Sequence, residues 1–266
     1  MKAAIFVNFS KSGADQILKE VKKQLKKLKI DFFENDPNAY ELCDVVLIIG
    51  GDGTIIHHAK MAAYCDKPVI GINAGRIGFL SSLEKWELQK LSCLISGDYT
   101  IEKRMLLKVE YDNNIYRCLN DAVISKSFAS RMLDIDVKLN CGSMSSRADG
   151  LIAATPTGST AYSLSAGGPL VEPDLPAIIL TPICSQWSSS KSIVLSSNNA
   201  VKIGVRSPEN TRAMLSIDGE NAIEVSNDKE VVISQDDRYF VKFIKISDSG
   251  FYDVFAQKQK SGDVND

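Results

Sequence analysis

Val45-Val46-Leu47-Ile48-Ile49-Gly50-Gly51-Asp52-Gly53-Thr54 passes from an unbroken apolar run straight into three glycines around one carboxylate. A short run of this kind without polar alternation predicts a strand covered on both faces, here Asp44–Ile49. The residues that follow, Thr54–Tyr64, read as a helix. Working outward, Ala3–Val7 and Pro68–Ile72 are further buried strands of the same type. Between the first two strands, Asp15–Lys29 has helical periodicity, with Ile17, Leu18, Val21, Leu25 and Leu28 on one stripe and lysines on the solvated face. Strand–helix alternation predicts a parallel sheet covered by helices, an α/β domain.

The pattern changes near residue 100. Short runs with β-branched residues follow: Leu106–Tyr111, Leu119–Lys126, Ile135–Leu139, Ile178–Thr181, Ser192–Leu195, Val201–Val205, Ala213–Ile217 and Val231–Ser234. Turn signals such as Asp112-Asn113-Asn114, Ser207-Pro208 and Asp218-Gly219 separate them. Regularly spaced short strands predict an all-β sandwich. The expected organisation is an α/β domain over 1–98, a β-sandwich over 99–246, and a C-terminal helix and tail over 247–266. The helix is expected within Asp248–Gln257 and packs back on the first domain, with frayed residues from Lys258.

Composition removes several classes of function. The chain has 266 residues, of which 44% are hydrophobic, enough for a substantial core. A formal net charge of -2 gives no general attraction to nucleic acid or to an anionic membrane. Six scattered cysteines include no CxxC pair, which argues against a zinc ribbon or a thioredoxin-like site. The only histidines are His57 and His58, too few for a three-histidine metal site. Met1–Asn8 lacks the length and cleavage signature of a signal peptide, so a cytoplasmic protein is expected.

Four motifs carry chemistry. In Gly50-Gly51-Asp52-Gly53-Thr54 the glycines allow close backbone approach, and the following helix N-terminus suits phosphate. Its sequence is neither Walker A nor GxGxxG. Asp52 could take a proton from an attacking hydroxyl, help hold Mg²⁺, or simply cap the turn. Asn73-Ala74-Gly75-Arg76-Ile77-Gly78-Phe79-Leu80 again puts glycines after a sheet strand. Asn120-Asp121 breaks an apolar strand; the amide suits an adenine edge and the carboxylate suits ribose hydroxyls, unless the pair marks a bulge or turn. The fourth motif, Arg147 to Pro169, holds Asp149-Gly150, a strand, and then Thr155-Pro156-Thr157-Gly158-Ser159-Thr160-Ala161-Tyr162-Ser163-Leu164-Ser165. Its small residues leave room for a ligand, and Tyr162 can stack on a flat ring, unless the segment is simply a Gly/Ser-rich loop. His57, one turn into the helix after Gly53, could reach ligand phosphates or be a surface residue.

Together and in this order the motifs resemble the NAD kinase family, bacterial type. GGDGT alone is shared with lipid kinases, whereas the TPTGSTAYSLSAGGP block is specific. The resemblance covers nearly the whole chain. It implies transfer of a phosphoryl group from ATP, or from polyphosphate, to the adenosine ribose 2′-hydroxyl of NAD, giving NADP. It also implies Mg²⁺ or another divalent cation with the donor, and a homodimer or homotetramer. By position Asp52 matches the family's catalytic aspartate. Gly50, Gly51, Gly53, Thr54, Asn73, Gly75 and Phe79 fall in the nucleotide-binding turns, and Asn120 and Asp121 match the pair that holds the adenosine part. Arg147, Asp149, Thr157, Thr160, Ala161, Tyr162, Ser163, Leu164 and Ser165 match the stretch around the dinucleotide. Arg131 and His57 fall where further ligand contacts are often placed. The resemblance assigns no residue as a metal ligand. The chain departs from the family pattern at Ala148, often Gly, at Ser185-Gln186-Trp187, often Pro-His-Thr, and at Glu220, often Gln.

Two other readings share some of these features. A lipid kinase would need an apolar slot or membrane-facing surface for an acyl chain; the sequence shows no amphipathic helix rich in aromatics and lysines, and the hydroxyl-rich block suits a polar dinucleotide better. A non-catalytic dinucleotide sensor would need the glycines, Asn120 and Tyr162, but not Asp52.

Overall fold

The computed structural model describes residues 1–75, 78–127, 131–186, 191–209, 211–246 and 250–262. Arg76 and Trp187, singled out in the sequence, lie outside them, as do the first residues of the expected C-terminal helix. The chain divides into two compact units, Met1–Arg104 with Tyr239–Asp266, and Met105–Arg238.

The first unit is built on the strands β1 (Lys2–Val7), β2 (Asp31–Glu34), β3 (Val45–Gly50) and β4 (Pro68–Asn73). They pair in parallel in the order β2-β1-β3-β4. Helix α1 (Ala14–Lys27) lays Ile17, Leu18, Val21 and Leu25 on the sheet. Its last turn carries Lys26 and Lys27, which complement the negative end of the helix dipole. A short α2 (Ala39–Leu42) precedes β3, and α3 (Asp52–Tyr64) follows it. All six residues of β3 are buried, as its continuous apolar run predicts. Each fully buried Ile or Leu there stabilises the fold by roughly 1.5–3 kcal/mol. Strand β2 was absent from the expectation: it is four residues long, half-exposed and flanked by acidic residues, so it carries little hydrophobic signal.

The second unit is a sandwich of antiparallel strands. One sheet has six strands and contains β7 (Asp121–Lys126), β10 (Gly150–Ala154), β11 (Ala177–Ile183), β12 (Ile193–Ser196), β14 (Ala213–Ile217) and β15 (Glu220–Val225), in the order β12-β11-β10-β7-β14-β15. Against it lie β5 (Thr100–Tyr111, from Met105 on), β6 (Asn114–Cys118), β8 (Leu133–Leu139), β9 (Gly142–Ala148), β13 (Val201–Arg206) and the first part of β16 (Glu230–Lys245). Alternate residues of both layers form one core, including Leu107, Ile124, Ile135, Leu151, Leu180, Ile203, Leu215 and Ile233. Strands β6, β9 and β15 escaped the sequence pattern. Strand β9 is serine-rich and mostly exposed at a sheet edge, so it needs no apolar alternation. Strand β16 is far longer than the expected Val231–Ser234, because Asp236-Asp237-Arg238 masks its continuity. Asp236 is buried there and pairs with Arg117 Nε at 2.5 Å.

The unit limits differ from the expected divisions at 98 and 246. Buried Arg104 pairs with Glu102, and both belong to the first unit. Near its end β16 pairs in parallel with β4, Lys242 opposite Pro68 and Phe243 opposite Val69. That pairing returns the chain to the first unit before the last helix. This helix spans Phe251–Gly262, later and longer than expected, and packs Phe251 and Phe255 near the Phe79 ring of the same unit. Among the described residues no helix is long and apolar enough to cross a membrane.

One histidine is a packing residue. His58 stacks on Phe6, with ring centroids 4.5 Å apart, and its Nδ1 is hydrogen bonded to the Tyr40 hydroxyl at 2.6 Å. Burial first, and the neighbouring His57 second, push its pKa down to about 4. Between that value and the ordinary 6.5 the unfolded chain takes up a proton that the folded chain refuses. The stabilisation is therefore complete above 6.5 and is lost as the pH falls toward about 4. The expected loss from this group is on the order of 1–3 kcal/mol. Thermal melts at a series of pH values should show a steeper acid decline for the wild type than for His58→Phe. Equal slopes would contradict this role.

Candidate active site

The ends of β1, β3 and β4 bring three loops to one edge of the first sheet. Register places Val7 beside Ile49 and Gly50 beside Asn73. Gly50 has to be glycine, because a Cβ there would lie 2.6 Å from the Thr54 Cβ. Gly51, with φ -95 and ψ 179, turns the chain from strand into helix, and Asp52 and Gly53 open α3. The first-turn N–H groups of a helix have no partner within it, so this end favours an anion. Thr54 Oγ1 accepts a hydrogen bond from Asn8 Nδ2 at 2.9 Å, and Asn8 Oδ1 accepts from Ser10 N at 3.0 Å.

The Asp52 carboxylate is held from the second glycine loop. Phe79 N–H donates to Oδ2 at 3.2 Å and Leu80 N–H to Oδ1 at 3.3 Å. Gly78 makes the approach possible, since a Cβ at that position would lie 2.3 Å from Asp52 Oδ1. From the C-terminal helix, Lys258 Nζ comes to 3.6 Å from Oδ2 and lies 4.0 Å from the Phe79 ring centroid. Two charges therefore face each other at a half-exposed position, with side-chain exposures of 30% and 33%.

Asn73 acts inside the loop. Its amide nitrogen donates to both oxygens of Glu84, at 3.0 and 3.1 Å, and its Oδ1 accepts from Gly75 N–H at 2.9 Å. It is buried and shapes the turn in which Gly75 stands. His57 is exposed on α3, with its ring edge against His58.

In the second unit, Asn120 and Asp121 stand where the chain bends into β7. The expected strand from Leu119 begins only at Asp121 because the backbone N–H groups of Leu119, Asn120 and Asp121 donate to one carboxylate, Asp218, at 3.1, 2.7 and 3.2 Å. Asp218 itself has a positive φ of 50 in the turn before Gly219. Burial first, then the Asp218 charge, raise the Asp121 pKa to about 7. Such a group exchanges a proton near neutrality, and as an anion it offers a strong acceptor to a hydroxyl.

The small-residue block packs on this bend. Thr155 N–H donates to the Asn120 carbonyl at 2.8 Å, and Thr155 Oγ1 donates to the Leu119 carbonyl at 2.5 Å. Gly158 passes so close that a Cβ would lie 2.1 Å from the Asn120 carbonyl oxygen. A 3₁₀ turn over Thr157–Thr160 and a helical turn over Tyr162–Ser165 follow. Thr157 and Ser163 are buried, and Ser163 Oγ is hydrogen bonded to Thr181 Oγ1 at 2.8 Å. Thr160, Ala161 and Leu164 are half-buried, Ser165 is exposed, and the Tyr162 ring is 46% exposed. The Asp149 carboxylate pairs with Lys126 at 2.8 Å. Arg147 pairs with Asp134 at 3.4 Å, and Arg131 is exposed.

Each unit thus gathers its own share of the candidate residues. In the first are Gly50 to Thr54, His57, Asn73, Gly75 and Phe79; in the second are Asn120, Asp121, Arg131, Arg147, Asp149 and Thr157 to Ser165. Asn8, Asp218 and Lys258 were missed. A polar residue ending an apolar strand signalled Asn8, whereas Asp218 read as an ordinary turn residue and Lys258 as part of a frayed tail. Among the described residues no three His, Cys, Asp or Glu side chains gather as a metal cage.

Comparison with known proteins agrees with these motifs. The family model of the ATP-NAD kinase N-terminal domain matches residues 8–99, and that of the ATP-NAD kinase C-terminal domain matches residues 119–246. The chain is 36% identical to an NAD kinase of Desulforamulus reducens, over 96% of both chains. It is 35% identical to an NAD kinase of Treponema denticola, over 97% of this chain and 95% of that one. The crystal structure of an NAD kinase from Archaeoglobus fulgidus in complex with ATP superposes with a TM-score of 0.80 at 25% identity, covering 97% of this chain and 98% of that one. Yeast NADH kinase complexed with NADH shares the fold, with a TM-score of 0.83 at 22% identity over 100% of this chain and 88% of that one. With relatives of this similarity over nearly its whole length, the chain belongs to the NAD kinase family of phosphotransferases.

Proposed function

We infer that the chain phosphorylates the adenosine ribose 2′-hydroxyl of NAD with ATP, releasing NADP and ADP. The observation that carries the chemical reading is the Asp52 carboxylate, held by two backbone N–H groups at the start of α3. As the 2′-oxygen bonds to the γ-phosphorus, the bridge to the β-phosphate breaks and its electron pair leaves with ADP. Asp52 takes the hydroxyl proton. The N–H groups of Phe79 and Leu80 fix the carboxylate for that transfer, and the first turn of α3 offers its N–H groups to phosphate.

The second unit holds the adenosine part. Asn120 is fixed through its own backbone by Asp218 and Thr155, which leaves its side-chain amide to read the adenine edge. Asp121 accepts from the ribose hydroxyls, and Tyr162 offers its ring to the dinucleotide. Thr160, Ala161, Leu164 and Ser165 line the same stretch, while Thr157 and Ser163 support it from beneath. Arg131, Arg147, Asp149 and His57 complete the ligand contacts of this reading. Mg²⁺ or another divalent cation would travel on the donor's phosphates, which with water supply most of its usual oxygen donors, so no dedicated protein cage is needed. Bound there it screens phosphate charge. A cytoplasmic homodimer or homotetramer belongs to the same reading; the six-stranded sheet ends on β12, whose Val194 is 51% exposed.

The activity is tested by incubating the chain with ATP, Mg²⁺ and NAD and detecting NADP with an NADP-specific dehydrogenase. A panel with polyphosphate and NADH then ranks donors and acceptors. No NADP from any pair would reject the reading.

Asp52→Asn keeps the shape and loses the proton acceptor. The expected result is a fall in kcat of about 10²–10⁴-fold with NAD affinity retained. If added metal restores the rate, Asp52 holds the cation instead of acting as base; a normal kcat removes both roles. Asn120→Ala should raise the NAD dissociation constant about 5- to 150-fold, from a lost hydrogen bond worth ~1–3 kcal/mol, and leave donor affinity unchanged. Calorimetric titration of each ligand measures both, and an unaltered NAD constant would oppose the assignment.

A further inference from the structure

The GGDGT turn contains no lysine, yet a transferring phosphoryl group carries negative charge on three oxygens. The first unit supplies the cation from the far end of its sequence. Phe251, Phe255 and Lys258 follow one another at intervals of four and three residues, so they share one face of the C-terminal helix. The two phenylalanine rings sit 6.3 and 6.4 Å from the Phe79 ring, and the lysine completes the stripe over that ring and against Asp52. A second cation, Lys11, lies against Gly51, where its Cε would be 3.7 Å from an added Cβ. Of these two lysines, Lys258 reaches the carboxylate where proton and phosphoryl group meet.

Stability alone is a weak reason for this pair. Both side chains are about one-third exposed, and ion pairs at such positions contribute little to folding. A lysine ammonium is a compact point charge on a flexible stem, suited to following a phosphate through transfer. Asp52 holds the charge at the reaction point until the donor arrives, and the Phe79 ring lends the stem an apolar bed and a cation–π contact.

We propose that Lys258, delivered by the C-terminal helix through Phe251 and Phe255, is a catalytic residue that binds the γ-phosphoryl group of the donor beside Asp52. This rests on the reading of Asp52 as the proton acceptor. In the step itself the 2′-oxygen–phosphorus bond forms and the bridge between the γ- and β-phosphates breaks. The bridging electron pair goes to ADP and the hydroxyl proton to Asp52. Lys258 stays protonated and offsets charge on the γ-oxygens.

The test is Lys258→Met in the full chain. Calorimetry of MgATP, of sodium tripolyphosphate with Mg²⁺, and of NAD is combined with steady-state rates. The expected result is about tenfold weaker binding of both ATP and tripolyphosphate, and a kcat lowered at least as much. NAD affinity should stay within about twofold, which also shows that the variant is folded. Lys258→Arg should recover most of the donor affinity. Donor binding and kcat at wild-type levels would overturn the proposal. So would a loss confined to ATP, which would point to the nucleoside, or an equal loss for NAD, which would make the helix merely structural. Because donor binding is read without turnover, failure here is distinct from failure of Asp52→Asn to lower kcat.

Discussion

One contact organises the first unit: the Asp52 carboxylate receives the backbone N–H groups of Phe79 and Leu80. A carboxylate at the start of α3 is already favoured by the helix dipole. The two N–H groups add direction, because they come from a different loop and fix the side chain against the turn that carries it. The contact explains several sequence choices together. Gly78 has no side chain because the carboxylate occupies that space. Gly71 has none because a Cβ there would lie 2.7 Å from the Leu80 carbonyl oxygen, in the same returning loop. Asn73 and Glu84 hold the loop open by hydrogen bonds of 3.0 and 3.1 Å, and Gly75 N–H is turned onto Asn73.

The second unit uses the same device, a carboxylate that accepts backbone N–H groups from another segment. There a carboxylate, Asp218, collects three successive backbone N–H groups and forces the chain to bend before β7. Gly158 then presses against the Asn120 carbonyl, and Thr155 ties both segments together. The cost is a second carboxylate buried beside the first, which raises Asp121 to about 7. Asn120-Asp121 is therefore a backbone bend at the start of β7 that also sets a half-buried amide beside a buried carboxylate. The two readings of Asn120-Asp121 are compatible.

Most of the parallel strands and the glycine-rich turns that follow them were legible in the sequence, for a physical reason. Strands buried on both faces must be continuously apolar, and turns that meet a ligand or another backbone must be glycine-rich; both leave strong local patterns. Edge strands obey neither rule, so Asp31–Glu34, Gly142–Ala148 and Glu220–Val225 were silent. The long β16 was broken in the sequence by Asp236, whose burial depends on Arg117, 119 positions away. Lys258 was equally hidden: the helix was expected to pack back on the first domain but to end by Gln257, and nothing near Lys258 signals that it continues to reach Phe79 and Asp52. Residues whose role rests on a distant partner are those that local periodicity cannot reveal.

In the proposed reaction the position of the Asp52 carboxylate, and not only its chemistry, sets the rate. Gly78→Ala tests it most directly, because it removes no functional group yet puts a methyl 2.3 Å from Oδ1, so the carboxylate must rotate away. Measured with saturating ATP and NAD, kcat should fall about 10²-fold while both dissociation constants stay near those of the wild type. A variant that turns over at the wild-type rate would contradict the account.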